Sequence, residues 1–140
     1  MEIRGSCHCG NIAFVFDCPL ELAQLPVRAC TCTFCRKHGG VWTSCSTGSV
    51  TVAIQDAAQV TQYGFGTKTA AFHTCRHCGV VPIVTSEIDG RMYAVVSVNA
   101  FDDVDTSRLT KTPISFDGEG TDDRLARRKR NWIGHVRLVS

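Results

Sequence analysis

Seven of the nine cysteines in this chain fall in three short clusters, and these clusters constrain the fold more than any other feature. They read Cys7-His8-Cys9, Cys30-Thr31-Cys32-Thr33-Phe34-Cys35 and Cys75-Arg76-His77-Cys78. A tetrahedral zinc ion with sulfur ligands at about 2.3 Å is held by pairs of thiolates on tight turns, and spacers of one or two residues provide such pairs. Gly10 follows the first cluster and Gly79 the third, as tight turns favour. The spacing therefore predicts two zinc sites.

The clusters divide into a set of four sulfur atoms and a set of three. Two short pairs from distant parts of a chain can close one four-sulfur site, so the first and third clusters can share one zinc ion. The four-sulfur set then consists of Cys7, Cys9, Cys75 and Cys78, and the three-sulfur set consists of Cys30, Cys32 and Cys35. Four protein ligands are typical of a structural zinc, whereas three protein ligands and an open position are typical of a catalytic zinc. We expect one site for folding and one for chemistry.

A disulfide framework and an iron-sulfur cluster are the alternative uses of so many cysteines. The cysteine count is odd, the opening run Met1-Glu2-Ile3-Arg4-Gly5 has no apolar signal segment, and a Cys-x-Cys pair is poorly suited to internal bridging. These observations argue against a secreted disulfide scaffold. Thiolate ligands also suit an iron-sulfur cluster, and spacing alone does not choose the metal.

Length and composition predict a single zinc-binding domain over residues 1–140. A chain of 140 residues with 44% hydrophobic residues can bury a substantial core. The longest apolar runs, such as Tyr93 to Val96, are too short to cross a bilayer. We expect a cytoplasmic protein without a membrane segment.

The pattern of short apolar runs between turn residues predicts an all-β fold, either a sandwich or a barrel-like domain. The predicted strands are Asn11 to Asp17, Val27 to Cys30, Trp42 to Ser46, Val50 to Ile54, Thr69 to Thr74, Val80 to Thr85, Met92 to Val98, Ile114 to Phe116 and Trp132 to Val139. A short helix is predicted over Asp122 to Lys129, with acids at its start and bases at its end. A further helical turn is expected after Cys35.

The order and spacing of the clusters resemble the glutathione-dependent formaldehyde-activating enzyme family. The motifs that carry this resemblance are Gly5-Ser6-Cys7-His8-Cys9-Gly10, Cys30-x-Cys32-x-x-Cys35-Arg36-Lys37 and Cys75-x-x-Cys78-Gly79, within about residues 3 to 100. The resemblance implies a zinc-containing, mainly antiparallel β fold of the Mss4-like type with one or two short helices. It also assigns a structural zinc to the four-sulfur set and a catalytic zinc to the three-sulfur set.

The resemblance further implies a carbon-sulfur lyase that joins glutathione to formaldehyde as S-hydroxymethylglutathione, or cleaves such a thiol adduct. A zinc ion with an open position lowers the pKa of a bound thiol, and three thiolate ligands weaken its Lewis acidity, so we favour thiol activation over carbonyl polarisation. The run from Lys111 to Gly120 departs from the C-terminal pattern of the family. The small-molecule thiol therefore need not be glutathione.

Two residues near the three-sulfur set have open roles. Cys45 either completes that set as a fourth ligand, which would make the second zinc structural, or is a small buried residue, which we favour. His38 is either a general base or occasional ligand, or an exposed loop histidine, which we also favour. His73 can face a pocket or solvent, and Trp42 and Tyr63 can line a cleft or pack in a core.

A basic run, Arg127-Arg128-Lys129-Arg130, supports a rival hypothesis of a noncatalytic zinc-stabilised binding module with a cationic C-terminal surface. The run lacks interleaved aromatic residues and is balanced by Asp122 and Asp123, and the formal net charge is only +2, so nucleic-acid binding is not favoured. Steering of a small anionic substrate fits the run at least as well. A thiol or redox sensor is a further alternative, because exposed zinc thiolates are oxidisable.

Overall fold

The computed structural model describes residues 1–139 and confirms the predicted all-β class, with eleven strands and two α-helices in that range. The strands are β1 (Glu2–Ser6), β2 (Ile12–Asp17), β3 (Arg28–Cys30), β4 (Val41–Thr43), β5 (Ser49–Ile54), β6 (Val60–Tyr63), β7 (Ala71–Cys75), β8 (Ile83–Ile88), β9 (Arg91–Ser97), β10 (Thr112–Ile114) and β11 (His135–Val139). The helices are α1 (Thr33–His38) and α2 (Thr121–Asn131). None of the helices in the described range is long and apolar enough to cross a membrane.

The strands form two open sheets, of which one has four strands in the order β1-β2-β5-β11 and the other seven in the order β10-β3-β4-β9-β8-β7-β6. Most neighbours are antiparallel, but β10 runs parallel to β3 and β11 parallel to β5. Neither sheet closes on itself within residues 1–139, so the barrel-like alternative is wrong and the sandwich alternative is right.

A shared core joins the two sheets. In β2 the side chains of Ile12, Phe14 and Phe16 alternate inward, as the sequence predicts, because successive strand residues point to opposite faces. They pack in one cluster with Ala94 and Val96 of β9 in the larger sheet. Burial of these apolar side chains is the main force that holds the sheets together.

The opposite face of the seven-stranded sheet forms the base of the candidate site. Val84 of β8 and Val95 of β9 alternate with the core residues of the same strands and therefore lie on this second face. Trp132, directly after α2, and Trp42 of β4 are buried in the same cluster. The segment that carries α2 thus covers one side of the larger sheet.

Several elements differ from the sequence-based expectation. Strands β1 and β6 are absent from the prediction, and β8 begins three residues later than Val80 because a tight turn occupies the residues after Cys75, where the N–H of Cys75 bonds to the carbonyl of Val80 at 3.0 Å. Strand β10 covers Thr112–Ile114 instead of Ile114 to Phe116, and it is an edge strand that tolerates the missing N–H of Pro113. Helix α1 begins before Cys35 and includes it.

Candidate metal centres and cavity

The four-sulfur set is gathered at one point of the structure. The Sγ atoms of its four cysteines all lie within 4.8 Å of one another. The Sγ atoms of Cys7 and Cys9 are 3.8 Å apart, and those of Cys9 and Cys75 are 3.5 Å apart. A tetrahedron with metal-sulfur bonds of about 2.3 Å has sulfur-sulfur edges of about 3.8 Å. The four sulfur atoms therefore fit one tetrahedral metal ion such as zinc.

Two similar turns present these four cysteines. In the first turn, the N–H of Cys7 bonds to the carbonyl of Ile12 at 2.8 Å, and the N–H of Gly10 bonds to the carbonyl of Cys7 at 3.0 Å. Gly10 has a φ of +85°, a left-handed conformation that glycine adopts without the strain of a side chain. Burial raises the pKa of the Cys7 thiol, and the N–H of Ile12, which donates to its Sγ at 3.3 Å, offsets part of that rise.

The second turn repeats this arrangement after β7. The N–H of Gly79 bonds to the carbonyl of Cys75 at 2.8 Å, and Gly79 has a φ of +81°. The N–H of Cys78 donates to the Sγ of Cys75 at 3.5 Å. Burial opposes ionisation of Cys78, but hydrogen bonds from the backbone of Val80 and Cys9 and from neighbouring thiols lower its pKa to about 6. This turn therefore presents Cys78 in the thiolate form that metal binding needs.

The three-sulfur set lies where β3 leads into α1. Cys30 ends β3, Cys32 is the residue that caps the N-terminus of α1, and Cys35 is one turn into the helix. Their Sγ atoms lie within 4.8 Å of one another, and the N–H of Cys35 donates to the Sγ of Cys32 at 3.4 Å. The three sulfur atoms fit three corners of a metal tetrahedron and leave the fourth corner for another ligand.

Two thiols of the three-sulfur set, Cys30 and Cys35, have pKa values shifted in opposite directions. A hydrogen bond from Cys35, together with the nearby charge of Arg127, lowers the pKa of Cys30 to about 6 although burial opposes this. The same hydrogen bond and burial raise the pKa of the Cys35 thiol. One thiolate is therefore present at neutral pH before any cation binds, which favours capture of a metal ion.

A cavity of about 640 Å³ opens directly onto the three-sulfur set. All three cysteines of the set line it. Strands β4, β7, β8 and β9 and the residue after α2 contribute Trp42, Phe72, Val84, Val95 and Trp132 to the apolar part of its wall, which also includes Phe65, Ala70, Ile114 and Phe116. A ligand in this cavity would contact the apolar wall and the sulfur atoms at the same time.

The cationic side of the cavity comes from five arginines, namely Arg28, Arg36, Arg124, Arg127 and Arg128. Among the described lining residues, Asp117 is the one acid. Glu119, which precedes α2, accepts hydrogen bonds from Arg127, the two shortest of 3.0 and 3.1 Å, and lies 3.7 Å from Arg124. The guanidinium of Arg127 also lies 3.5 Å above the ring of Phe116.

Cys45 lies in the core between the sheets and not beside the three-sulfur set. It is buried in the cluster that includes Cys18, and its Sγ lies 3.4 Å from the hydroxyl of Thr47. Its sulfur is not among the atoms gathered around Cys30, Cys32 and Cys35. The structure therefore favours the buried role for Cys45 over the role of fourth ligand.

The other ambiguous residues also have definite positions. His38 is exposed and stacks on Phe34, with ring centroids 5.3 Å apart. His73 faces neither solvent nor the cavity, because it is buried and its Nε2 lies 2.7 Å from the hydroxyl of Thr85. Trp42 lines the cavity, whereas Tyr63 is about half exposed (48%) and stacks on Phe34.

The arginines of the cavity wall are the site residues that sequence reasoning missed. Arg28 lies in an unremarkable stretch before Cys30, and Arg128 belongs to the basic run for which the sequence predicts either a cationic binding surface or steering of a small anionic substrate, without placing it in a cavity wall. Arg128 is instead 6% exposed. A helical projection of α2 offers a signal, since Arg128 lies three residues after Leu125 and four before Trp132 on the side that packs against the sheet.

Comparison with known proteins agrees with this geometry. The model of the family described as glutathione-dependent formaldehyde-activating enzyme matches residues 2–114. The chain belongs to this family. The match includes all seven clustered cysteines and ends at the last residue of β10, so α2 and its arginines lie beyond the part that the family model describes. Membership of the glutathione-dependent formaldehyde-activating family supports a small-molecule thiol as partner.

A solved structure of a Rhodobacter sphaeroides protein is similar to this chain. The two sequences are 28% identical, and the superposition has a TM-score of 0.58. It covers 79% of this chain and 98% of that chain. The similarity of fold therefore extends over nearly the whole of the Rhodobacter protein.

Proposed function

We propose that this protein is a zinc-dependent carbon-sulfur lyase that forms or cleaves a thiol adduct, with glutathione and formaldehyde as its leading substrates. The observation that carries the proposal is the position of the three-sulfur set on the wall of a cavity large enough for a small-molecule thiol. Family membership supports the same reaction class. The four-sulfur set has the composition of a structural zinc site, and the three-sulfur set has that of a catalytic one.

The reaction needs a reactive sulfur, a cavity and a way to hold the thiol. Cys30, Cys32 and Cys35 would hold the zinc, which when bound lowers the pKa of a thiol in its remaining position. The cavity wall, including Trp42 and Phe72, gives the thiol an apolar surface to pack against beside the sulfur set. In the forward direction the sulfur of glutathione bonds to the carbonyl carbon of formaldehyde, and the carbonyl oxygen gains the proton, giving S-hydroxymethylglutathione.

Native mass spectrometry of freshly purified protein, with and without glutathione, tests the proposal. We expect two zinc ions per chain and a reversible glutathione adduct in the wild type. Cys32→Ser removes one of the three catalytic ligands and should lose both the second zinc and the adduct. Cys45→Ala is the matched control, since Cys45 lies in the core, and it should keep both.

Formaldehyde consumption in the presence of glutathione then tests the reaction itself. We expect activity in the wild type and Cys45→Ala and none in Cys32→Ser. Two zinc ions without any thiol adduct would contradict the catalytic role of the three-sulfur set and favour a noncatalytic zinc-stabilised module.

A further inference from the structure

Arg128 is a buried cation without a carboxylate partner in the described structure. It is 6% exposed and lines the cavity, and its Nη1 donates to the hydroxyl oxygens of Thr69 at 2.8 Å and Ser86 at 3.1 Å. Its Nε is buried and has no hydrogen-bond acceptor. The two neutral hydroxyls orient the guanidinium of Arg128 but do not neutralise its charge. Burial, together with the charges of Arg127 and Arg124, lowers the pKa of Arg128 to about 10.

Arg28 is a second cavity cation in a similar position. Its Nη1 donates to the hydroxyl of Ser44 at 3.1 Å, and that hydroxyl donates in turn to the carbonyl of Asn131 at 2.8 Å. This chain of two hydrogen bonds fixes Arg28 beside the C-terminal end of α2, the same end that carries Arg128. Burial and the charge of Arg127 lower the pKa of Arg28 as well.

The charges around the cavity do not balance. Glu119 pairs with Arg127 and lies close to Arg124, so its carboxylate is already occupied. In residues 1–139, neither Arg28 nor Arg128 forms an ion pair with an acid. Both arginines feel the positive charge of Arg127, and an anion in the cavity that they line would offset this excess of positive charge and offer an acceptor to Arg128.

We propose that Arg28 and Arg128 form a carboxylate-binding subsite that makes the cavity select an anionic thiol over its uncharged counterpart. The inference rests on the proposed function, because it assigns the subsite to the thiol substrate of the three-sulfur set. A guanidinium matches a carboxylate through two parallel N–H bonds, and the cavity lets one molecule meet the sulfur set and the arginines together.

The two arginines of the subsite come from different parts of the chain, because Arg28 lies within the residues that the family model matches and Arg128 lies beyond them. The family model ends at Ile114, and α2 begins at Thr121, so Arg128 comes from a segment outside the matched region. The cysteine sets that carry the chemistry lie inside that region. The C-terminal segment therefore adds substrate selection to a reaction centre of the family.

The affinity of the protein for a glutathione analogue without a free thiol tests the carboxylate subsite independently of the proposed lyase reaction. S-methylglutathione keeps the two carboxylates of glutathione but has no thiol for the metal site, and its diethyl ester lacks both carboxylate charges while it keeps the amino group. Both tryptophans of the chain, Trp42 and Trp132, line the cavity, so intrinsic fluorescence of the zinc-loaded protein reports occupancy. We expect the ester to bind about tenfold to a hundredfold more weakly than the acid, as for the loss of charged hydrogen bonds.

Arg128→Gln should weaken binding of the acid by a similar factor and leave the ester unchanged, so that the preference disappears. Arg130→Gln is the matched control, because it removes the same charge from an exposed position of the same helix, and it should keep the preference. If Arg128→Gln is unfolded by circular dichroism, Arg28→Gln carries the test, with the same expected loss of preference.

Equal affinity of the wild type for acid and ester would overturn the subsite. An equal loss for acid and ester in Arg128→Gln would do the same, since it would indicate a purely structural role. If the acid preference is present but no glutathione adduct forms on the zinc, the subsite stands and the proposed lyase function fails.

Discussion

Cys75 and Cys32 are the same residue type in different environments. Cys75 is fully buried at the end of β7, in the core cluster that joins the two sheets. Cys32 is half-buried at the start of α1 and lines the cavity. A metal ligand in the core ties distant segments together, whereas a ligand on a cavity wall supports only a local turn. The two cysteines should therefore differ in what their loss does to the fold.

Cys75→Ser should unfold or strongly destabilise the protein, while Cys32→Ser should leave the fold intact. A structural zinc contributes on the order of 10 kcal/mol to folding, comparable with the whole stability of about 5–15 kcal/mol of a typical domain. Thermal denaturation followed by circular dichroism, with zinc content measured on the same samples, checks this.

Cys18→Ala provides a matched control, because Cys18 is buried but belongs to neither sulfur set, and should cost only about 1 kcal/mol. Equal loss of folding in Cys75→Ser and Cys32→Ser would contradict the division between the sets.

At the scale of elements, α2 depends on the segment just before it. Asp122 and Asp123 lie in its first turn and its bases lie in the last turn, as the helix dipole favours. Glu119 precedes the helix and holds Arg127 through a two-bond ion pair. The ion pair and the stacking of Arg127 on Phe116 fix the segment before α2 against the helix, at the rim of the cavity.

Glu119→Gln should destabilise the protein by about 1 kcal/mol at pH 7 and by less at low pH. The hydrogen bond from Arg127 and the charges of the nearby arginines lower the pKa of Glu119 below its ordinary value. The folded state therefore binds fewer protons than the unfolded state, and the contribution is complete above the unfolded pKa of about 4.3 and is lost as the pH falls through the folded pKa.

Urea denaturation at several pH values between 7 and 3 measures the difference in free energy of unfolding between the wild type and Glu119→Gln. Effects of pH that are common to both proteins cancel in this difference. Glu87→Gln is the control, because Glu87 is exposed on β8 and has no ion pair in the described structure. A Glu119→Gln effect that stays constant from pH 7 to pH 3 would contradict the ion pair as its cause.

The elements that the sequence could predict are those whose signal is local. The alternation in β2 and the charge gradient of α2 are visible in consecutive residues, and both elements form as predicted. Strand β1 has only Ile3 as an apolar residue inside it, and β10 contains Pro113. Both edge strands are formed by backbone pairing, β1 with the next strand, β2, and β10 with the distant β3, and their own side-chain patterns do not indicate that pairing.

At the scale of the whole molecule, the cysteine sets were visible in the sequence but the cavity was not. Ligand spacing is a local property, and the structure gathers the sulfur atoms in the two groups that the spacing indicates. Arg128 is buried by partners at positions 69 and 86, far along the chain, so its charge looked like surface charge. Cavities arise where such distant elements meet, and composition does not reveal them.

The two cysteine sets also play different parts in the architecture. The four-sulfur set joins the turn between β1 and β2 of the smaller sheet to the turn after β7 of the larger one. The three-sulfur set lies within one continuous segment, from the end of β3 into α1. The first set therefore links the two sheets directly, and the second links only neighbouring residues.

Under the proposed function each cysteine set holds one zinc ion, and chelation should then remove the two ions in two steps with different consequences. An open three-ligand site that faces a cavity exchanges its metal more readily than a closed site in the core, so a mild chelator should take one ion per chain while the far-UV circular dichroism stays unchanged. Stronger chelation should then remove the second ion and unfold both sheets together. Cys32→Ser, which retains only the four-sulfur set, should show the slow step alone. Zinc release and circular dichroism recorded at the same time distinguish the outcomes. The division between the two sets would be contradicted if both ions left at one rate, or if β structure were lost with the first ion.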